Sequence, residues 1–269
     1  MSRSTPRSYL YVPANRPDRF GKACAAGADA VIIDLEDAVP PAEKAAGRAA
    51  LATWLSAARA VIVRINGADT EWFEADLAVC DAAGVIGVVV PKAENIGDAV
   101  LSLCRRRGAA LLPLIETARG MAQAGTVAAT PLVQRLLFGT IDFQLELGID
   151  GDGDELLAFR SQLVLASRLA GIQSPVDGPS TSWDDLELLR ADAERARRLG
   201  FGGKLCIHPK QVAAVNAIFS PSEAEVAWAR SVLDAAKRSG GAAVAVDGKM
   251  IDRPVILKAE RIMREVDCN

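Results

Sequence analysis

Short runs of apolar residues alternate with longer amphipathic stretches along almost the whole chain. Each run is apolar throughout, without the polar alternation of a half-exposed strand, and this is typical of parallel strands that are covered on both faces. The runs predict eight strands, at residues 8–12, 30–35, 61–65, 87–90, 110–115, 135–139, 171–174 and 204–207.

The amphipathic stretches predict a helix after each strand, and several of them carry start or stop signals. Pro41 suits a first turn, Ser182 followed by Asp185 resembles a capping arrangement, and Gly84 and Gly108 follow the third and fourth helices. The predicted helices lie at residues 17–26, 40–56, 71–83, 95–107, 117–128, 154–170, 182–199 and 209–219.

This alternation predicts an α/β fold of the (β/α)8 or TIM-barrel type over residues 1–220. A doubly wound open sheet would instead carry a glycine-rich, phosphate-binding turn after its first strand. The turn present here, from Pro13 to Pro17, contains no glycine.

The last 50 or so residues exceed what a barrel needs. They predict a helix at 221–239 with Ser222 as its cap, a break at Gly240-Gly241, a short strand at 242–246 and a basic helix at 254–266. An ordered tail of this kind either covers its own barrel or reaches another subunit. We expect residues 221–269 to form a C-terminal extension that contributes to a neighbouring subunit of a symmetric oligomer.

Composition narrows the possible partners and locations. The chain has 269 residues, half of them apolar, and a net charge of −3, which excludes a general basic surface for nucleic acid. No apolar stretch approaches the roughly 20 residues of a membrane span, and no apolar signal core follows the basic N-terminus. The five cysteines are widely spaced and odd in number, so we expect reduced thiols and a cytoplasmic location.

Three of the apolar runs lead into a charged residue: Arg64, Glu116 and Asp142. In a barrel the carboxyl ends of the strands surround one mouth, so these side chains are expected to converge. Two carboxylates close together repel unless a cation lies between them, and a small hard cation such as Mg²⁺ prefers oxygen ligands. The alternative is that Glu116 and Asp142 are ordinary loop charges paired with arginines. A single histidine, His208, argues against a nitrogen-rich zinc site.

Arg64 is the candidate for binding a substrate carboxylate or polarising a carbonyl, because its planar guanidinium can donate hydrogen bonds to two oxygens at once. A salt bridge to Glu36 or Asp37 on the preceding strand is the alternative, and it is compatible with that role. Glu36 and Asp37 are also candidate catalytic carboxylates, although one of them is equally suited to cap the helix that follows.

Two further strand-end residues have competing interpretations. Lys92 is placed to form a Schiff base with a keto substrate or to pair with nearby carboxylates. His208 is suited to act as a base or to hold a neighbouring segment in position.

Several segments together resemble one family. They are RSYLYVPANRPDRFGKA (7–23), DAVIIDLEDAVPPAEKAAGR (29–48), VIVRINGADTEWFEADL (61–77), VVVPKAEN (88–95), LLPLIETARG (111–120), LLFGTIDFQLELG (136–148), RLGFGGKLCIHPKQV (198–212) and DGKMIDRPVILKAERI (247–262). As an ordered set they resemble the citrate lyase β-subunit-like branch of the HpcH/HpaI aldolase superfamily.

This resemblance implies a Mg²⁺-dependent carbon–carbon lyase, usually a homotrimer, that cleaves or forms citryl, malyl or citramalyl thioesters of coenzyme A or an acyl carrier protein. Glu116 and Asp142 would be the metal ligands, and Arg64 would bind the keto-acid portion. The resemblance also implies that the backbone of Gly139, Thr140 and Ile141 binds the carboxylate of the keto acid. It further implies that Arg16 and Lys22, with Phe20 packing beside them, bind the phosphates of the thioester.

Asp252, in the segment MIDRP, matches an acidic residue that coenzyme A lyases of this family lend to a neighbour's site from the C-terminal tail. It favours an independent enzyme in which Asp252 handles the proton on the acetyl carbon. Two other interpretations stay open: a β-subunit that acts only on a carrier-bound citryl group, and a Schiff-base aldolase that uses Lys92. The sequence leaves the identity of the acyl thioester and the direction of the reaction open.

Overall fold

The structure is a computed structural model that describes residues 5–238, 244–246 and 249–267. The chain divides into two compact units, one from Pro6 to Asn216 and the other containing the chain from Ala217 onward. Among the described residues, no helix combines the length and the apolar character needed to cross a bilayer.

The first unit contains a closed barrel of eight parallel strands. Each strand pairs with the next along the chain, and the last pairs with the first through Ser8↔Lys204, Tyr9↔Leu205 and Leu10↔Cys206. The predicted (β/α)8 architecture is therefore confirmed. The strands are β1 (Ser8–Pro13), β2 (Ala30–Asp34), β3 (Val61–Arg64), β4 (Val85–Val90), β5 (Ala110–Ile115), β6 (Leu137–Phe138), β7 (Val176–Asp177) and β8 (Gly203–Cys206).

Helices follow the strands as the amphipathic pattern predicts, with two short 3-10 turns at Pro41–Glu43 and Asp154–Leu156. Pro41 lies in a first turn as expected, whereas the helix Leu186–Leu199 is capped by Asp185 alone, which accepts a hydrogen bond from the backbone N–H of Leu188. The helices are α1 (Pro17–Cys24), α2 (Lys44–Trp54), α3 (Phe73–Cys80), α4 (Asp98–Arg107), α5 (Ala118–Ala122), α6 (Ala124–Ala128), α7 (Thr140–Leu147), α8 (Leu157–Leu169), α9 (Leu186–Leu199) and α10 (Pro209–Ile218).

The predicted position of the seventh strand, at 171–174, is wrong. Gly171 has a φ of +70° and belongs to the turn that ends α8, whereas Val176 and Asp177 are completely buried and form the strand. A left-handed residue ends a helix but does not begin a strand, and two buried residues are too few for a periodicity to be recognised.

Helix α7 is absent from the pattern of predicted elements. The sixth strand is only two residues long, and Gly139 leads directly into the helix. Asp142 therefore lies in the first turn of α7 rather than at the end of a strand, which corrects the expectation for this residue.

The barrel interior changes from apolar to polar toward the carboxyl ends of the strands. A core cluster that includes Tyr9, Ile32, Ile62 and Leu114 fills the interior. Side chains two residues apart in a strand point to the same face, so the next inward positions are occupied by Tyr11, Asp34, Arg64 and Glu116. This two-residue period brings four polar side chains to one end of the barrel.

One ion cluster is completely buried beside β7 and β8. Arg160 Nε lies 2.8 Å from Asp177 Oδ1, and Lys204 Nζ lies 3.2 Å from Asp177 Oδ2. All three side chains have no solvent exposure, so each charge depends on its partners.

The second unit is built around α11 (Glu223–Arg238) and α12 (Arg253–Asp267), with a two-stranded antiparallel sheet of β9 (Val244–Val246) and β10 (Lys249–Ile251). The two helices bury Val232, Ala259 and Ile262 in a shared apolar cluster. Ser222 caps α11 as predicted, since its Oγ accepts a hydrogen bond from the N–H of Glu225. Strand β10 is an addition to the predicted elements, and the expected break at residues 240 and 241 lies outside the described residues. The contribution of this unit to a neighbouring subunit stays a prediction.

Four cysteines of the described chain are free thiols, and three of them, Cys80, Cys104 and Cys206, are buried. Burial raises the pKa of the Cys104 thiol to about 11, so this group stays protonated at neutral pH. Cys268 lies outside the described residues.

Candidate active site

A cavity of about 400 Å³ opens among the carboxyl ends of the strands. It brings together Arg64, Glu116 and Asp142, the three charged residues that the sequence pattern singled out. The full lining consists of Tyr11, Asp34, Asp37, Ala38, Arg64, Leu114, Glu116, Gly139, Ile141, Asp142, Pro179, Leu205 and Ile207.

Arg64 is held at this mouth by carboxylates of the preceding strand and its loop. Its Nε and Nη2 donate to the two oxygens of Asp34 at 2.7 and 2.6 Å, and its Nη1 lies 2.9 Å from Glu36 Oε2 and 3.7 Å from Asp37 Oδ2. The expected ion pair with Glu36 is present, but the dominant partner is Asp34. Burial opposes the charged form of Arg64, but the charge and hydrogen bonds of Asp34 together with the charges of Tyr11 and Glu36 outweigh burial, and the pKa of the guanidinium is raised.

Asp34 also organises the loop after β2. Its carboxylate accepts hydrogen bonds from the N–H groups of Glu36 and Ala38, at 2.9 and 3.3 Å. Neither Glu36 nor Asp37 caps the helix that follows, because its first turns have no side-chain cap among the described contacts, and Asp34 instead holds the loop before it. Asp37 has a half-exposed side chain and lines the cavity.

Lys92 forms the ion pair that was the alternative to a Schiff base. Its Nζ lies 2.8 Å from Glu36 Oε1, and its backbone N–H donates to Glu116 Oε1 at 2.7 Å. Burial lowers the pKa of Lys92, but the hydrogen bond and charge of Glu36 outweigh it and the net pKa is raised. A protonated amine is not a nucleophile, so this geometry disfavours Schiff-base chemistry at Lys92. Lys92 has a φ of +46°, in the left-handed region, and its N–H points at the Glu116 carboxylate.

Glu116 is a buried carboxylate, and only one of its two oxygens has a hydrogen-bond partner among the described residues. Oε1 accepts from Lys92, whereas Oε2 has no hydrogen-bond partner among the described residues. Burial, with a further contribution from the charge of Glu36, raises the pKa of Glu116 to about 8, and Asp142 adds to this increase. Gly139 makes room for the carboxylate, since a Cβ at that position would lie 2.5 Å from Glu116 Oε2.

These observations fit a divalent cation held by Glu116 and Asp142. Glu116 is buried, one of its oxygens has no partner among the described residues, and burial disfavours its negative charge. Asp142 provides a second carboxylate in the lining of the same cavity. Within the described part of the chain, no group of three or more His, Cys, Asp or Glu side chains is arranged to hold a metal. A two-carboxylate site suits Mg²⁺, which keeps several water or substrate oxygens among its ligands.

The backbone after β6 offers a second polar feature. Gly139 and Ile141 line the cavity, and Thr140 is buried beside them at the first position of α7. The first N–H groups of a helix have no acceptor within the helix and attract anions, which suits the expected carboxylate contact.

The residues expected to contact phosphates have different environments. Arg16 is half exposed and pairs with Asp18 through bonds of 3.0 Å, and Lys22 is exposed in α1. Phe20 has no solvent exposure and packs edge-on against Trp54, with ring centres 5.3 Å apart. Helix α1 thus turns the Phe20 ring into the core, and the expectation that Phe20 packs beside Arg16 and Lys22 at the thioester carrier stays a prediction.

His208 and Asp252, the two remaining candidate residues, each have local contacts of their own. The His208 ring stacks against Trp183 at 4.9 Å between centres, and its Nδ1 accepts a hydrogen bond from the N–H of Lys210. Asp252, in the second unit, is exposed and its Oδ1 accepts from the N–H of Val255 at the start of α12.

The sequence pattern missed two of the polar cavity residues, Asp34 and Tyr11. Each lies within an apolar run, two residues after a core residue, Ile32 and Tyr9 respectively. The signal that could have found them is that every second residue of a strand points into the barrel. Counting two residues on from a core residue reaches the mouth of the barrel.

Comparisons with known proteins identify the relatives of this chain. The family model for HpcH/HpaI aldolase/citrate lyase matches residues 7–209. A citrate lyase subunit beta-like protein of Deinococcus radiodurans is 40% identical over 274 residues, covering 96% of each chain. A (3S)-malyl-CoA thioesterase of Cereibacter sphaeroides is 37% identical, covering 97% of this chain and 94% of that protein. The crystal structure of CitE from Mycobacterium tuberculosis in complex with magnesium, acetoacetate and coenzyme A has a TM-score of 0.85 and 36% identity, covering 98% of both chains.

Proposed function

We propose, because the chain belongs to the HpcH/HpaI aldolase/citrate lyase family, that it is a magnesium-dependent carbon–carbon lyase. The substrate is a β-hydroxyacyl thioester of the malyl, citramalyl or citryl type, and the products are a keto acid and an acetyl thioester; the reverse reaction joins them. The observation that carries this proposal is the free, buried oxygen of Glu116 in the cavity that Asp142 and Arg64 also line.

Glu116 and Asp142 would hold the Mg²⁺, which when bound acts as a Lewis acid toward the oxygens of the substrate. The protein atoms around these carboxylates support that role. The N–H of Lys92 fixes Glu116 Oε1 and leaves Oε2 for another ligand.

Arg64 stabilises the negative charge that the substrate oxygen carries once the hydroxyl has lost its proton, and in the reverse direction the charge that develops on the keto-acid oxygen as the carbon–carbon bond forms. A donor that is already oriented needs no reorganisation during the reaction, and such donors contribute strongly in a cavity shielded from water. Asp34 provides this orientation through its two bonds, and Glu36 holds both Arg64 and Lys92 in place. Glu36 is in this proposal a positioning residue.

The rest of the substrate lies along the neighbouring segments. The N–H groups at Gly139, Thr140 and Ile141, at the start of α7, bind the carboxylate of the keto acid. Arg16, half exposed just before α1, and Lys22, exposed in α1, contact the phosphates of the thioester carrier.

Two proton transfers complete the reaction. Asp37 lines the cavity, is half exposed, and accepts the proton of the substrate hydroxyl. The electron pair of that O–H bond forms the keto carbonyl, and the pair of the breaking carbon–carbon bond passes to the thioester as an enolate. Asp252 of a neighbouring subunit then gives a proton to the acetyl carbon, and in the reverse direction it removes one. This arrangement requires an oligomer, which we expect to be a trimer.

A second candidate function is thioester hydrolysis, since one relative is named a malyl-CoA thioesterase. A third is a citrate lyase subunit that acts only on a carrier-bound citryl group. The three functions differ in which bond breaks and on which carrier.

The deciding experiment assays malyl-, citramalyl- and citryl-CoA with Mg²⁺ and measures both keto acid and free thiol. The lyase releases keto acid without thiol, a thioesterase releases thiol without keto acid, and a carrier-dependent subunit is inactive on all three free thioesters. Glu116→Gln is the control that assigns any activity to this site. Release of thiol alone, or no reaction with any of the three, contradicts the proposed lyase.

A further inference from the structure

The hydroxyl of Tyr11 is a polar group at the cavity that the proposed mechanism does not use. Tyr11 lines the cavity, and its ring packs against the apolar cluster that fills the barrel below. The oxygen atom is buried and has no hydrogen-bond partner among the described residues. A buried hydroxyl without a partner costs about 1–3 kcal/mol, so this position is suited to a ligand that satisfies it.

The neighbouring side chains leave the Tyr11 hydroxyl available. The guanidinium carbon of Arg64 lies 5.0 Å from the centre of the Tyr11 ring, so the cation sits over the ring face. Asp34, which belongs to the adjacent strand, has both carboxylate oxygens bound to Arg64. Burial raises the pKa of Tyr11, so the hydroxyl keeps its proton and acts as a donor.

We propose that the Tyr11 hydroxyl donates a hydrogen bond to an oxygen of the keto-acid half of the substrate, which makes Tyr11 a specificity-determining residue. This inference rests on the proposed function, in which the keto acid lies against Arg64. Because Tyr11 packs on that same guanidinium, the part of the substrate that Arg64 binds is the part that reaches the hydroxyl. The thioester carbonyl is the other acceptor that the substrate offers, and the test separates the two.

The test compares Tyr11→Phe with Tyr9→Phe. Both variants remove one buried hydroxyl from β1, but the Tyr9 oxygen accepts a hydrogen bond from Arg135 at 3.2 Å, away from the cavity lining. Pyruvate and oxaloacetate are titrated calorimetrically at saturating Mg²⁺, and Mg²⁺ is titrated alone. The KM of acetyl-CoA is measured in the condensation direction.

We expect Tyr11→Phe to bind both keto acids about tenfold more weakly, as the loss of one hydrogen bond to a charged or polarised oxygen implies. Its Mg²⁺ affinity and acetyl-CoA KM stay as in the wild type, and its melting temperature is unchanged or higher because the lost hydroxyl had no partner. Tyr9→Phe is expected to lower the melting temperature and leave keto-acid affinity unchanged.

Equal keto-acid affinity of Tyr11→Phe and the wild type would overturn the inference, as would a change confined to the acetyl-CoA KM. Failure of the wild type itself to bind either keto acid is a different result, since it rejects the proposed function on which the inference rests. The two failures are thus distinguishable in one set of titrations.

Discussion

Asp34 and Arg64 are opposite each other in the register of β2 and β3, and their side chains form two parallel hydrogen bonds. The same carboxylate accepts the N–H of Glu36 at 2.9 Å, so it joins a strand, the next loop and the guanidinium. Few orientations satisfy all of these bonds at once. Asp34 therefore fixes where Arg64 presents its remaining N–H groups to the cavity.

This relationship predicts that Asp34→Asn impairs catalysis without abolishing the fold. An amide offers only one acceptor oxygen, so one of the two bonds to Arg64 is lost and the guanidinium can rotate. We expect kcat/KM to fall about 10- to 100-fold, with a higher keto-acid KM in the reverse direction and an unchanged acetyl-CoA KM, measured by steady-state kinetics.

The matched control is Asp81→Asn, which removes an aspartate that bonds Arg106 through the same two nitrogens on the exposed surface. Exposed pairs contribute little, so this variant is expected to match the wild type in both kinetics and stability. Equal kinetics for Asp34→Asn and Asp81→Asn would show that Arg64 does not depend on Asp34.

Sequence reasoning found Arg64 and Glu116 because each follows directly on an apolar run, and such transitions mark where a strand leaves the core. It missed Asp34 because this residue lies among apolar neighbours, and only the register with β3 shows its partner. The barrel itself was predictable, since continuous apolar runs alternate with amphipathic stretches of helix length along the chain. The seventh strand was not, because Val176–Asp177 is too short for any period, and α7 was not, because its eight residues form only about two turns.

Gly139 is expected to be essential for the carboxylate site. A Cβ at this position would lie 2.5 Å from Glu116 Oε2 and 2.6 Å from Glu116 Cβ, so Gly139→Ala must displace the side chain. We expect the variant to fold but to bind Mg²⁺ at least tenfold more weakly, measured by calorimetric titration of the metal alone.

Gly125→Ala tests the same chemical change where space is available. Gly125 lies in α6, and a Cβ added to it would meet no atom within 4 Å outside the backbone of its own helix. Alanine is favoured over glycine in a helix by up to about 1 kcal/mol, so this variant is expected to be slightly more stable with normal Mg²⁺ binding. If both alanine variants bind Mg²⁺ normally, Glu116 does not need the space at Gly139.

Lys92 is expected to act as a cation and not as a nucleophile. Its Nζ pairs with Glu36, and this pairing raises the pKa of the amine. We therefore expect no covalent adduct at Lys92 when the protein is treated with borohydride and pyruvate and examined by mass spectrometry. EDTA should abolish activity, and added Mg²⁺ should restore it. An adduct at Lys92 together with EDTA-resistant activity would instead support the Schiff-base aldolase.

Asp177 is expected to stabilise the fold at neutral pH and to lose this effect in acid. Burial alone would raise the pKa of Asp177, but the charges of Lys204 and Arg160 outweigh it and hold the pKa below its usual value. A carboxylate with a lowered folded-state pKa contributes stability above the ordinary value of about 3.9, and the contribution is lost as the pH falls through the lower folded-state value.

Urea unfolding of Asp177→Asn at several pH values measures this effect. We expect the variant to lose about 3–5 kcal/mol of unfolding free energy at pH 7, because two buried cations lose a charged partner, and the deficit to shrink below pH ~3.9. The exposed Glu187→Gln, which removes a partner of Arg190, is expected to change stability by less than about 0.5 kcal/mol. A deficit that is the same at pH 7 and in acid would mean that the charge of Asp177 is not the source of its stabilisation.

Asp252 allows the contribution of the C-terminal unit to folding to be separated from its contribution to chemistry. Its carboxylate caps α12 by accepting the N–H of Val255, and asparagine is an equally good cap. Asp252→Asn is therefore expected to keep the wild-type melting temperature while turnover falls about 10²- to 10⁴-fold through loss of the proton donor. Asp252→Ala should lose about 1 kcal/mol of stability in addition, because the cap is removed.

Whether the residue acts across subunits is decided by co-expressing Asp252→Asn with Glu116→Gln. Two inactive chains regain activity together only if one subunit's intact tail completes the other's intact cavity, and a mixture as inactive as its parents would place Asp252 outside the neighbour's site.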